Sequence, residues 1–220
     1  MIGLTMNASS RMSLPSGQLE PHVEAAELAG FPSPPVELTT GGGLADLAHQ
    51  RTTLVLNDGT QVTVRPVQPE DEAGLVALHQ QLSLHTVRFR YFMDIPLMTR
   101  IAHARLERVC HPDPAKEVVL IAEHVRQDGS TEVIGVGRIN RQQDLQVGEL
   151  AVLVADHWQR HTLGSRLFEM LIAIARQVGL KRVFLSFLPE NRIMRLLCDH
   201  RGFTASVTPS LVTATLVLAG

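Results

Sequence analysis

Residues 149–164 read Glu149-Leu150-Ala151-Val152-Leu153-Val154-Ala155-Asp156-His157-Trp158-Gln159-Arg160-His161-Thr162-Leu163-Gly164. The first six form a short aliphatic run bounded by polar residues, which reads as a strand. From Leu163 onward, Leu167, Met170, Leu171 and Ile174 recur at helical spacing as far as Val178, where Gly179 ends the pattern. A strand, a tight loop and a helix N-terminus make an anion site. The first-turn amides lack carbonyl partners and the positive end of the helix dipole faces the loop. That suits a pyrophosphate without a lysine clamp, and Gly164 lets backbone come close to a ligand. Ordinary strand–helix turns share this geometry, so the rest of the chain must decide between the two.

Working outward, Arg182–Leu188 returns as a strand, Glu190–His200 as a helix stopped by Gly202, and Phe203–Leu218 as one or two closing strands. On the other side, Gly148–Val154 is preceded by Glu117–Val125 and Thr131–Asn140, strand-like runs joined by the polar turn Gln127-Asp128-Gly129-Ser130. Before these, Leu97–Val109 reads as a helix. Ser83–Phe92 holds Arg88, Phe89, Arg90, Tyr91 and Phe92, and Leu84–Val109 reads as a wall of a site or as packing and solvated surface. Leu75, Leu78 and Leu82 follow the acids of Pro69-Glu70-Asp71-Glu72 at helical spacing. Thr52–Leu56 and Gln61–Arg65 flank an Asp58-Gly59 turn, the signature of a hairpin. Residues 1–50 carry five prolines and the run Gly41-Gly42-Gly43, so they read as a flexible tail, compatible with one short helix over Glu20–Ala29. The expected domain is 51–220.

Composition narrows the function classes. With 220 residues and 45% hydrophobic content, one core is expected. Twenty Lys and Arg against 22 Asp and Glu leave no basic footprint for nucleic acid or an anionic membrane. No apolar run approaches the roughly 20 residues that a membrane span needs. Cys110 and Cys198 are too few for a disulfide framework and suggest a cytoplasmic protein. The ten histidines show no metal-ligand spacing, so no metal is expected.

The chain resembles the GNAT acetyltransferase superfamily, and within it the catalytic domain of bacterial protein lysine acetyltransferases. The likeness spans about residues 54–207. It rests on Asn57-Asp58-Gly59-Thr60, Val64-Arg65-Pro66 with Glu70-Asp71, Arg90-Tyr91-Phe92, Ile134-Gly135-Val136-Gly137-Arg138, the loop Gln159–Gly164, and Pro189-Glu190-Asn191-Arg192-Ile193-Met194 with Gly202-Phe203. The resemblance implies an α+β GNAT fold: a central mixed, mostly antiparallel sheet of about six to seven strands flanked by helices. It implies acetyl-CoA as acyl donor and a primary amine, a protein lysine or a small molecule, as acceptor. Val152, Leu153 and Val154 would meet the thioester and pantetheine, with Gln159, Arg160, His161, Thr162, Leu163, Gly164 and Ser165 around the pyrophosphate and Asn191 facing the pantetheine arm. A homodimer is compatible with this reading.

Two positions depart from the family pattern. Thr162 stands where glycine is usual, and its branched side chain tolerates fewer backbone conformations; as helix N-cap its hydroxyl could serve the first turn or a phosphate. Cys198 stands where many members have a tyrosine acid, and reads as a core cysteine. Glu149 is the candidate general base. A carboxylate opening an apolar strand must face solvent or a polar cleft, and a lysine amine with pKa about 10.4 must lose a proton before attacking a thioester. No Gly-x-Ser-x-Gly elbow or nucleophilic cysteine context is present, so direct attack is expected. The alternative outside enzymes is a non-catalytic acyl-CoA-binding module. A further expectation is that regulation, if any, comes from the tail, an oligomer or another chain.

Overall fold

Strand β1 (Thr52–Val55) folds back onto β2 (Gln61–Pro66) through the Asp58-Gly59 turn, where Gly59 takes φ 84° and Asp58 accepts the Thr60 N–H at 2.9 Å. Only a residue tolerant of positive φ fits this corner. The computed structural model describes residues 51–142 and 146–218; the tail and the Glu20–Ala29 helix lie outside the described residues. After a 3₁₀ turn at Pro69–Asp71 come α1 (Glu72–Gln80), α2 (Leu84–Tyr91), α3 (Leu97–Arg100) and α4 (His103–Cys110). Then follow β3 (Glu117–Val125), β4 (Thr131–Arg141), β5 (Val147–Val154), α5 (Leu163–Gln177), β6 (Arg182–Phe187), α6 (Arg192–Asp199), β7 (Thr204–Val207) and β8 (Val212–Val217).

All eight strands join one sheet in the order β1-β2-β3-β4-β5-β6-β8-β7, antiparallel except for β5 with β6. The α+β class and the mixed, mostly antiparallel sheet are as expected, with eight strands in place of six to seven. Two helical expectations change. The segment 84–91 is a helix, N-capped by Ser83, whose Oγ accepts the Thr86 N–H at 3.2 Å. The expected helix over 97–109 is two helices, because Ala102 turns extended at φ −58°, ψ 128°. Arg100 is buried at this break and donates to the carbonyls of His79 at 2.8 Å and Ile95 at 3.1 Å.

The sheet separates two apolar layers. On one side α5 buries Leu163, Leu167, Phe168, Leu171 and Ile174 against Leu120, Ile139, Leu150 and Val154. On the other, Leu75, Leu78, Val87 and Leu106 cover Val119, Ile121 and Leu153. Glycine on β4 lets α5 come close: a Cβ on Gly135 would stand 3.2 Å from Leu167 Cδ1 and from the Leu153 carbonyl. Between Ala122 and Glu123 the β3–β4 register slips, leaving Ile134 as a bulge. A third fixture is buried. Arg65 grips Asp71 with two bonds of 2.7 and 2.9 Å and also pairs with Glu123, so Arg65-Pro66 and Glu70-Asp71 form a structural clamp.

Candidate active site

β5 and β6 are paired only through Val147↔Arg182, Gly148↔Val183 and Glu149↔Phe184. Beyond Glu149, β5 continues on β4 alone and β6 on β8 alone, so the sheet opens between them. The Ala155 N–H donates to the Ile134 carbonyl at 2.9 Å, which fixes the phase of the ladder. Backbone groups alternate in direction along a strand. Leu153 and Ala151 therefore turn their amides to β4, Leu150 turns its amide to the paired end of β6, and Val152 and Val154 turn theirs into the gap. The Val154 carbonyl there accepts Gln159 Nε2 at 3.2 Å. Leu153 sends its side chain into the layer under α1 and α4.

The loop from Gln159 closes the wide end of the gap. Arg160 and Thr162 both have positive φ, 65° and 67°, with His161 between them at ordinary φ. Alternation of hand turns successive amides to one side and makes an anion-binding concavity. The first-turn amides of α5, from Leu163, Gly164 and Ser165, add to it. A Cβ on Gly164 would meet only Val154 Cγ2, at 3.7 Å, so packing within the chain leaves the space at Gly164 open. Thr162 is the N-cap residue, as considered, but its hydroxyl donates to the His161 carbonyl and does not cap the helix. Its left-handed backbone is the reason: the side chain is carried away from the first-turn amides. Ser165 Oγ likewise turns back, to the Thr162 carbonyl at 2.8 Å.

Ser83, Thr86 and Asp156, for which the sequence suggested no role, help to hold this loop in place. Asp156 accepts the Ser83 N–H at 2.9 Å, Thr86 Oγ1 at 2.9 Å, and Ser83 Oγ. Burial acts to raise the Asp156 pKa, but the bonds from Ser83 and Thr86 outweigh it and hold the carboxyl below its ordinary value. Gln159 Nε2 also reaches Thr86 Oγ1 at 3.0 Å, joining loop, strand end and α2 in one network. From the other flank, Asn57 Nδ2 approaches the Arg160 carbonyl at 3.4 Å and Asp58 pairs with His161 at 2.9 Å. Ser83 and Thr86 lie far from Asp156 and Gln159 in the chain and gave no local signal that the four meet.

Glu149 is half-buried at the last paired position before the opening, opposite Asn140 on β4. Its side chain lies on the sheet face away from α5, since Gly148 and Leu150 face the α5 layer. On that face Arg138 pairs with Glu117 at 2.7 Å, and Arg90 of α2 feels the charges of Tyr91, Arg138, Glu149 and Arg105. Asn191 lies beyond β6 and caps α6, its Oδ1 accepting the Met194 N–H at 3.1 Å. Cys198 is buried in the α5-side core, where burial pushes its thiol up to about 12. Cys110 is buried in the opposite layer and pushed up to about 11. Among the described residues, no three His, Cys, Asp or Glu side chains converge to hold a metal, and no helix is long and apolar enough to cross a membrane.

Comparison with known proteins places this arrangement. Residues 87–203 match the model of the acetyltransferase (GNAT) family. Acetyltransferase PA5475 of Pseudomonas aeruginosa is 29% identical over 154 residues, 70% of this chain and 81% of that protein. The crystal structure of the GNAT domain of S. lividans PAT is 28% identical, with TM-score 0.68 over 78% of this chain and 98% of that one. The same fold recurs at 20% identity and TM-score 0.53 in yncA of Salmonella typhimurium, solved with its cofactor acetyl-CoA, over 72% of this chain and 95% of that one. With an opened sheet, an amide-lined loop and a family match across more than half its length, the chain belongs to the GNAT acetyltransferase family and is an acyl-CoA-dependent N-acetyltransferase.

Proposed function

We propose that the protein acetylates a protein lysine, with Glu149 as general base. The observation that carries this is the position of Glu149, at the point where β5 and β6 part and on the face opposite α5. The pyrophosphate of acetyl-CoA binds the amides of residues 160–165, with Gln159 bracing the loop from inside and Arg160 and His161 at its rim. The pantetheine arm enters the gap, where Val152 and Val154 present backbone groups as a missing strand would receive them; Leu153 supports the strand from beneath, and Asn191 stands at the β6 side. Glu149, directly or through water, takes a proton from the lysine ammonium. The freed amine attacks the thioester carbonyl, the C–N bond forms, and the C–S bond breaks to release the CoA thiolate, which takes up the second proton that the nitrogen gives up as it becomes an amide. A gap-facing amide of β5 stabilises the oxyanion, a contribution of about 3 kcal/mol per donor in well-formed holes.

Direct attack is supported by the state of the cysteines, since both are buried with raised pKa values and hold no thiolate to acylate. A macromolecular acceptor is supported by exposed apolar side chains next to the acceptor side: Phe92, Met93, Leu97 and Met98, following α2, stand 41%, 62%, 36% and 75% exposed. Such surfaces mark sites of protein contact. The likeness to the GNAT domain of a protein named PAT, over 98% of that domain, points the same way. Calorimetric titration with acetyl-CoA, followed by thiol-release assays on lysine peptides and small amines, tests the reading. Glu149→Gln is expected to keep acetyl-CoA binding within about twofold and to lower kcat by about 100-fold or more. Retention of kcat within about threefold would remove Glu149 from the chemistry.

A further inference from the structure

Two arginines on the acceptor side have no counterion. The guanidinium carbons of Arg90, on α2, and Arg105, on α4, lie 5.2 and 5.1 Å from the centroid of the Tyr91 ring. Neither makes a hydrogen bond or ion pair with a described residue. The neighbouring arginines behave otherwise: Arg138 is matched by Glu117, and Arg100 is spent on two carbonyls. A guanidinium carries five N–H donors, and an aromatic face satisfies the charge but none of the donors. Both side chains are half-buried, so water meets those donors only in part. Burial holds the Arg90 pKa below its ordinary value; Tyr91 and Glu149 favour its charge, and Arg138 and Arg105 oppose it. With Glu117 assigned to Arg138, the carboxylate whose charge favours the ionised Arg90 is Glu149, the group that the proposed reaction needs free to take a proton.

We infer that Arg90 and Arg105 receive a carboxylate carried by the acceptor close to its amine, so that the preferred lysine has an acidic neighbour. This rests on the proposed function, because it assumes that the amine arrives beside Glu149. The chemistry is self-consistent. Planar guanidinium forks bind carboxylates through two parallel bonds, which fixes orientation as well as register. Two positive charges near the incoming ammonium also lower its pKa, which aids the proton loss that attack requires. An acceptor without an anionic group would face that repulsion with nothing to offset it.

The experiment compares peptides in which one lysine is flanked on both sides by Glu, Gln or Lys, at saturating acetyl-CoA, on the parent chain and on Arg90→Gln, Arg105→Gln and Arg105→Glu. Acetyl-CoA titration of each variant checks that the fold and donor site persist. The parent is expected to show kcat/KM about 10-fold or more higher on the Glu-flanked than on the Gln-flanked peptide. Arg105→Gln should shrink that ratio, and Arg105→Glu should turn the preference toward the Lys-flanked peptide, an inversion that loss of packing alone does not produce. Glu- and Gln-flanked peptides used within about twofold of each other by the parent would overturn the inference, as would a preference indifferent to all three substitutions. If acetyl-CoA binds but no peptide is acetylated, the protein-lysine reading fails separately. Free amino acids against their amides then decide the carboxylate question: preference for the acid form, lost in Arg105→Gln, supports it, and equal use overturns it.

Discussion

Thr162 holds φ 67° and ψ −7°, a left-handed conformation that a β-branched residue adopts at a cost of about 1–2 kcal/mol. The strain is local, since its hydroxyl is spent on the neighbouring His161 carbonyl and not on the helix. In the proposed pyrophosphate site this conformation lets the turn aim consecutive amides at one point. Thr162→Gly is therefore expected to stabilise the fold by about 1 kcal/mol, raising Tm by about 2–4 °C, and to leave acetyl-CoA affinity equal or tighter. Thermal denaturation with parallel calorimetry reads both; a lower Tm would mean that the hydroxyl bond outweighs the strain. The identity of this loop was legible because strand, polar crossing and helix start are contiguous in the chain. Its handedness was not, since nothing in a threonine announces positive φ. The position of Glu149 was legible for the same reason of locality, as a lone acid opening an apolar strand, and the structure sets it where β5 and β6 part.

At the level of elements, the loop depends on α2, and that dependence was invisible in the sequence. Ser83, Thr86, Asp156 and Gln159 come together only once α2 lies across the end of β5. The helix itself escaped recognition because Leu84–Tyr91 has no apolar stripe: Thr86 and Val87 are buried, whereas Leu84, His85 and Arg88 are exposed. It is fixed by its Ser83 cap and by tertiary contact, neither of which has a periodicity. The hairpins and α5, by contrast, follow from alternation and 3.6-residue spacing. Asp156→Asn is expected to loosen the Gln159–Gly164 loop and to weaken acetyl-CoA binding several-fold, read by calorimetry. Because the folded-state pKa of Asp156 lies below its ordinary 3.8, its stabilisation is present above that pH and is lost as pH falls through the folded value. The stability gap between parent and variant should accordingly close under acid below about pH 4. The Arg65–Asp71–Glu123 clamp is a second element-level joint, tying β2 to the turn before α1 and to β3. Asp71→Ala leaves a buried guanidinium short of a partner and should cost about 3–5 kcal/mol in urea denaturation.

Across the whole domain, the two faces of the sheet are built to different standards. One carries the 15-residue α5, joined by α6 through Cys198 and Met194, over a continuous aliphatic core, and the other four short helices of four to nine residues. Where those short helices meet, the contacts are polar. His79 of α1 stacks on Tyr91 of α2 at 6.4 Å, its carbonyl binds Arg100 of α3, and Arg105 of α4 lies on the same tyrosine. Burial, followed by the positive charges of Arg100, Arg105 and Arg90, pushes His79 down to about 4, so it is neutral in the native state. The unfolded chain protonates it near the ordinary 6.5. Above that pH the two states bind protons equally. As pH falls from 6.5 toward 4 the unfolded state takes up a proton that the folded state refuses, and stability declines. At pH 5 the loss attributable to this one ring is about 2 kcal/mol. His103, exposed and raised by its bond to Glu72, works in the opposite direction but is common to parent and variant, so it cancels in their comparison. Urea denaturation at pH 7.5 and pH 5.0 should show His79→Leu losing about 2 kcal/mol less between the two than the parent does. Equal losses would mean that His79 is hydrated in the native state. Because the same contact carries Arg90, Arg105 and Tyr91, the acid-sensitive joint is also the acceptor side proposed above. Hydrogen exchange at pH 5 should accordingly rise first in α1–α4 and leave α5 and β5 protected.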